Sequence, residues 1–147
     1  MRTHLIMYII AAVMTILGSP SNAYNLPLSD ERYELVINDV VLPFLDALKN
    51  GDVDSIKYHI AGDIYENKRI LLEKNKEYSE FLRNYYRDAE FYIENVMKSG
   101  DYLVVHVVVE LSSGDEINTQ LYLFEHISKV PGALEEASWK IIEFRNN

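Results

Sequence analysis

Proton transfer near neutral pH is the chemistry this chain is best equipped to attempt, and the residues for it are thinly spread. His59 and Asp63 stand four residues apart at the end of a helical stretch. A helix running through both would put them on one face as an acid/base pair. Gly62 argues that the helix stops first. The pair is then a surface feature at a helix end, where the dipole favours a histidine. His106 lies in an alternating stretch, either as a pocket base or as an outward residue of a sheet. His126 follows Glu125, and strand alternation turns the two to opposite faces, so they make poor co-ligands. No His-x₃-His pattern or carboxylate cluster has metal-site spacing, and neither a metal nor a cofactor is expected. There is no cysteine, which removes thiol catalysis, thiolate metal sites and disulfides. Gly-x-Ser-x-Gly, Gly-x-Gly-x-x-Gly and the Lys-containing phosphate loop are also absent.

Tyrosine is the abundant functional side chain, with 11 copies. Tyr58, Tyr65, Tyr78, Tyr85 and Tyr86 fall in the helical half of the chain. An apolar ring with a polar tip suits a pocket for a small apolar or mixed-polarity molecule, and equally suits half-buried positions where helices meet a sheet. Tyr58, His59, Asp63, Tyr65, Tyr86 and Trp139 are the candidate ligand-pocket residues.

The elements that position these groups begin after a leader. Arg2 gives a positive start, and Leu5 to Leu17 is an uncharged, mostly aliphatic run. Gly18-Ser19-Pro20 then breaks any helix, and Ser21-Asn22-Ala23 supplies small residues before a cut between Ala23 and Tyr24. This is the pattern of a cleavable secretory signal, 1–23. The run falls short of the ~20 apolar residues of a membrane span, and the alternative is an uncleaved N-terminal anchor. No lipoprotein cysteine follows it. The expected product is a single soluble domain, 24–147, exported to the periplasm or the medium. Its freedom from cysteine suits a bacterial periplasm better than a disulfide-dense extracellular module.

Arg2 is the leader's one charge, so removing it takes the formal net charge from −9 to −10. A field of that sign repels phosphate backbones and anionic lipid surfaces, and no Lys/Arg stripe counters it. Nucleic acid and, after cleavage of the leader, membranes are not expected partners.

The domain reads as helices first and strands afterwards. Ser29 is an N-cap with Leu28 and Tyr33 at hydrophobic-staple positions. Tyr33, Val36, Ile37, Val40, Val41, Phe44, Leu45 and Leu48 form one apolar helix face. Pro43 should kink or split that helix near Asp39, whose carbonyl it crowds. Gly51 ends it in a left-handed turn. Asp52 caps a short second helix carrying Val53, Ile56 and Ile60, which Gly62 stops. Residues 64–74 and 78–88 are two more helical pieces. Their apolar positions are Ile64, Leu71 and Leu72, then Phe81, Leu82, Tyr85 and Tyr86.

From Ala89 the period is two. Turn signals at Ser99-Gly100-Asp101 and Ser112-Ser113-Gly114-Asp115, and a loop at 127–136, separate four strands. Short connections make the sheet antiparallel, and the class α+β, with the helices on one sheet face. Leu103, Val105, Val107, Val109 and Leu111 claim the core face. The other face carries Tyr92, Val104, His106, Val108, Tyr122 and Phe124. That is apolar for a wetted surface, so either something covers it, a second copy in a homodimer being the candidate, or these are scattered outward apolar residues that need no partner. Lys140 should be solvated.

The element order, the Gly51-Asp52 pair before Ile56, the stretch Ser99-Gly100-Asp101-Tyr102-Leu103-Val104-Val105, the turn Gly114-Asp115 and Trp139-Lys140-Ile141 together resemble the NTF2-like superfamily, which includes SnoaL-like and ketosteroid-isomerase-like domains. The resemblance covers nearly all of 29–145. It implies a cystatin-like cone, in which a curved sheet wraps the first helices and leaves a pocket at its open end. It does not imply an activity, since one fold hosts many functions. The expected function is a non-catalytic binding or accessory module using the pocket or the sheet face. The alternative is a cofactor-free isomerase or dehydratase with His59, Asp63 or Tyr86 in the pocket. The acidic surface also allows a protein-partner role, without a positive motif for one.

Overall fold

The computed structural model describes residues 31–128, 131–132 and 136–147. The leader with its Ala23–Tyr24 junction, the Ser29 cap and the Leu28 staple lie outside the described residues. The architecture is α+β. Helices α1 (Glu31–Val36), α2 (Leu42–Asn50), α3 (Val53–His59), α4 (Asp63–Lys74) and α5 (Tyr78–Tyr85) precede strands β1 (Glu90–Ser99), β2 (Tyr102–Glu110), β3 (Glu116–Ser128) and β4 (Glu136–Asn146).

The α-helix is interrupted around Asp39, where Pro43 is expected to disturb it, but the helical stretch does not end there. A π-helical turn, Ile37–Val41, joins α1 to α2, and the Leu42 N–H donates to the Ile37 carbonyl. Pro43 sits in the first turn of α2, where its missing N–H costs least. The wider turn keeps the backbone right-handed, so the apolar stripe continues through it. Val36, Ile37, Val40, Val41, Phe44 and Leu45 are all buried.

The four strands form one open antiparallel sheet in the order β1-β2-β3-β4. Val105 pairs with Val96 on one side and Leu121 on the other, and Leu123 pairs with Ile141. These five side chains are buried on the sheet's inner face against Val41 and Phe44 of the helical stretch. Phe44 also meets Phe144 of β4 with ring centroids 5.5 Å apart. Bulges fall between Ile93 and Asn95 in β1 and opposite the Tyr122/Leu123 step in β4.

Two expectations for the helices need correction. The second helix ends at His59 rather than running through Ile60 to Gly62. Ile60 turns extended and bridges Ile141 in parallel, with the Ala61 N–H donating to the Ile141 carbonyl at 2.9 Å. This linker covers the edge of β4, an edge that would otherwise present unpaired backbone groups. In α5, Leu82 is buried, but Phe81 is 55% exposed and Tyr85 is exposed. Those two rings stack outside with Tyr78 instead of entering the core.

Asp52 caps α3 by accepting from the Ser55 N–H at 3.1 Å. Gly51 has φ +65°, and a Cβ there would lie 2.2 Å from the Ser79 carbonyl oxygen of α5. The Ser79 hydroxyl donates to the Gly51 carbonyl at 2.6 Å. The α2–α3 turn is thus the seat of α5. Gly51→Ala combines left-handed strain with a backbone clash, and should cost roughly 3 kcal/mol of stability. Urea unfolding of the variant and the parent measures it.

Candidate functional site

A cavity of about 680 Å³ opens between the α1 end of the helical stretch and one end of the sheet. Val36 and Val40 form its helix wall, and Leu103 and Trp139 face them from β2 and β4. Tyr58 and His59, the last residues of α3, close one side. The β1–β2 turn contributes Lys98, Asp101 and Tyr102, and the end of β3 contributes Phe124 and Glu125. A volume of this size is in the ordinary range for a small-molecule site.

The local sequence explains the position of each group. Ile60 must leave the helix to pair with Ile141, so α3 stops at His59 and its last turn is held beside β4. Strand alternation then places Trp139 on the same face as Ile141, packed against the core. Lys140, expected to be solvated, is partly exposed and also reaches the end of α3. Its ammonium donates to the Tyr58 carbonyl and lies 4.0 Å from the centre of the Tyr58 ring. No signal in the sequence marks this contact, because residues 58 and 140 meet only through the Ile60–Ile141 bridge.

His59 is the buried polar residue of the site, with 7% of its surface exposed. Its pKa is held below the ordinary 6.5, first by burial and then by the nearby Lys140 charge. The imidazole is therefore neutral at neutral pH and offers one N–H donor and one nitrogen acceptor. Burial also pushes the Lys140 pKa down. Asp39, Asp101 and Glu125 are exposed where they line the cavity, and so is Lys98.

Of the residues expected in a pocket, Tyr58, His59 and Trp139 line this cavity, and Asp63, Tyr65 and Tyr86 lie elsewhere. Asp63 is exposed in the first turn of α4. It shares no helix with His59, because Ile60 is extended between them. The Tyr65 hydroxyl donates to Glu73 at 2.5 Å along the outside of α4. Tyr86 packs between Tyr85 and Phe91 at the start of β1, and burial pushes its hydroxyl up to about 12. Asp39, Lys98, Asp101 and Lys140 are cavity residues that sequence reasoning did not select.

The opposite sheet face is largely covered by the chain itself. Val104 and Val108 are only 6% and 5% exposed, although neither belongs to the core between helices and sheet. The Tyr92 hydroxyl donates to Glu90, and burial followed by that bond raises its pKa. The Arg145 guanidinium lies 4.4 Å from the centre of the Tyr122 ring and donates to its hydroxyl at 3.2 Å. His106 Nδ1 stands 3.5 Å from a Glu94 carboxylate oxygen. Phe124 turns instead to the cavity end, where its ring meets Tyr102 at 5.9 Å.

Among the described residues, no group of three or more His, Asp or Glu side chains could hold a metal ion. No described helix is long and apolar enough to cross a membrane. No protein-family model matches the chain, and no curated protein or solved structure shows significant similarity to it.

The His59 shift has a defined sign. Above the ordinary value of 6.5 the residue is neutral folded and unfolded. As pH falls below that value, the unfolded chain takes up the proton first, and the folded state loses stability until folded His59 protonates too. His59→Gln should lose less stability on acidification from about pH 7 to about pH 5. Denaturation midpoints of both proteins across that window give the difference.

Proposed function

We propose that this chain is an exported, non-catalytic binding domain of the NTF2-like cone type, taking a small ligand of mixed polarity into the cavity beside Trp139. One observation carries the reading. A ligand-sized cavity has apolar walls of Val36, Val40, Leu103 and Trp139, with the polar groups of His59 and Lys140 gathered at one side. Apolar walls supply affinity, and a few placed polar groups orient a ligand.

The enzyme alternative is the weaker account of the same cavity. Acid/base catalysis needs a donor and an acceptor within reach of one substrate. His59 lines the cavity, while Asp63 and Tyr86 do not. A neutral imidazole beside an ammonium is a hydrogen-bonding group for a ligand. Export rests on the 1–23 leader pattern. The homodimer expected through the outer sheet face loses much of its motive, because Val104 and Val108 are already buried within one chain.

Native mass spectrometry of the protein purified gently from its own cells tests the binding reading. The parent should carry a small-molecule mass. Ser138→Phe, which fills the β4 wall of the cavity, should lose that mass while keeping the parent's circular dichroism. A parent that is bare under every gentle condition, and that also binds nothing from a cell extract, would count against the proposal.

A further inference from the structure

We infer that the cavity ligand is an amphipathic carboxylate, its apolar body lying along Trp139 and Leu103 and its acidic group meeting Lys140; this rests on the binding reading above. The cavity supplies the first reason. Its aliphatic and aromatic walls need an apolar ligand body to fill them, since water gains little from such a lining.

Lys140 supplies the second. Among the described residues, no carboxylate comes within ion-pair distance of its ammonium. Its contacts are the Tyr58 carbonyl and ring. An ammonium has three N–H donors, so that geometry leaves donors over, with no counterion at the charge among the described residues. This occurs in a chain of net charge −9, where carboxylates outnumber cations. Some basic side chains, such as Lys57 with Asp54 at 2.9 Å and Arg145 with Glu143 at 2.7 Å, pair with acids, and Lys140 is set apart from the other lysines by its place beside His59 in the cavity lining. Lys140 is also part-buried, and burial lowers its pKa, so a counterion gains more there than at a fully exposed lysine.

His59 stands next to it, near enough for the Lys140 charge to act on the imidazole. Neutral His59 can donate a hydrogen bond to the same acidic group. The exposed acids Asp39, Asp101 and Glu125 give the cavity an acidic margin. Such charges are screened by salt, yet they disfavour a small bare anion that gains nothing from the apolar walls. A carboxylate carried on an apolar body offsets that repulsion by burial.

Trp139 is the single tryptophan of the chain and lines the cavity, so its fluorescence reports occupancy. The test is a titration with dodecanoate, dodecanol, dodecyltrimethylammonium and acetate, using the parent, Lys140→Met and Lys140→Arg. Dodecanoate should change the parent's emission at the lowest concentration, and acetate should leave it unchanged. Lys140→Met should weaken dodecanoate about tenfold or more, the scale of one charge-assisted contact, and leave dodecanol unaffected. Lys140→Arg should retain most of the dodecanoate binding. Retained dodecanol binding by Lys140→Met shows that the cavity is still formed. Equal affinity of the parent for all three dodecyl probes would overturn the anion assignment while leaving the binding reading standing. If none of the dodecyl probes moves Trp139 emission, the binding reading falls with it.

Discussion

One contact organises this molecule: the apolar stripe of the 31–50 helical stretch against the inner face of the sheet. Val41 and Phe44 from the helices, and Val96, Val105, Leu121, Leu123 and Ile141 from all four strands, are almost wholly removed from water. A stripe reaches across a sheet only if it is continuous, and Pro43 threatens that continuity at its centre. The π turn at Ile37–Val41 resolves the conflict. It absorbs the missing donor within one widened turn and keeps Val36 and Val40 in line with Val41 and Phe44. The same stripe therefore serves two purposes. Its later residues fill the core, and Val36 and Val40 form a cavity wall.

A second contact gives the cavity its chemical character. An open sheet leaves edges, and the edge at β4 is met by Ile60 and Ala61. That small bridge terminates α3 at His59 and sets Tyr58 and His59 beside Trp139 and Lys140. Burial and the nearby Lys140 charge then keep the imidazole neutral. The polar end of the cavity is thus a consequence of edge protection, in a segment whose own helical signal is short.

Elsewhere the polar residues neutralise one another locally. Tyr65 with Glu73, Tyr92 with Glu90, and Arg145 with Glu143 and Tyr122 are contacts within an element or between strand neighbours. On the outer sheet face, Val104 and Val108 are more deeply buried than simple alternation reveals. Alternation tells which face a residue takes. It says nothing of how far neighbouring groups cover a valine, and for that reason Val104 and Val108 look more exposed in the sequence than they are.

Much of the architecture was legible in the residues. Three-and-four spacing marked the helical stripe, Gly51 and Asp52 marked its end and the next start, and period-two alternation with Gly-Asp turns marked a four-stranded meander. Each is a local signal, written within a few residues by backbone sterics and side-chain burial. The exposure of Phe81 and Tyr85 was not legible, because a single buried neighbour, Leu82, satisfies the α5 contact and the spacing alone does not say how wide the buried face is. The site was legible only in part. Tyr58, His59 and Trp139 carried enough character to be singled out, whereas Asp63, Tyr65 and Tyr86 shared that character and lie away from the cavity. What separates the two groups is the pairing of Ile60 with Ile141, eighty-one positions apart in the chain. The sequence by itself determined the elements, their order and the strand faces, since those follow from neighbours along the chain. Only the tertiary structure decided that Lys140 would meet Tyr58 and His59, since that depends on which distant segment comes to cover an open sheet edge.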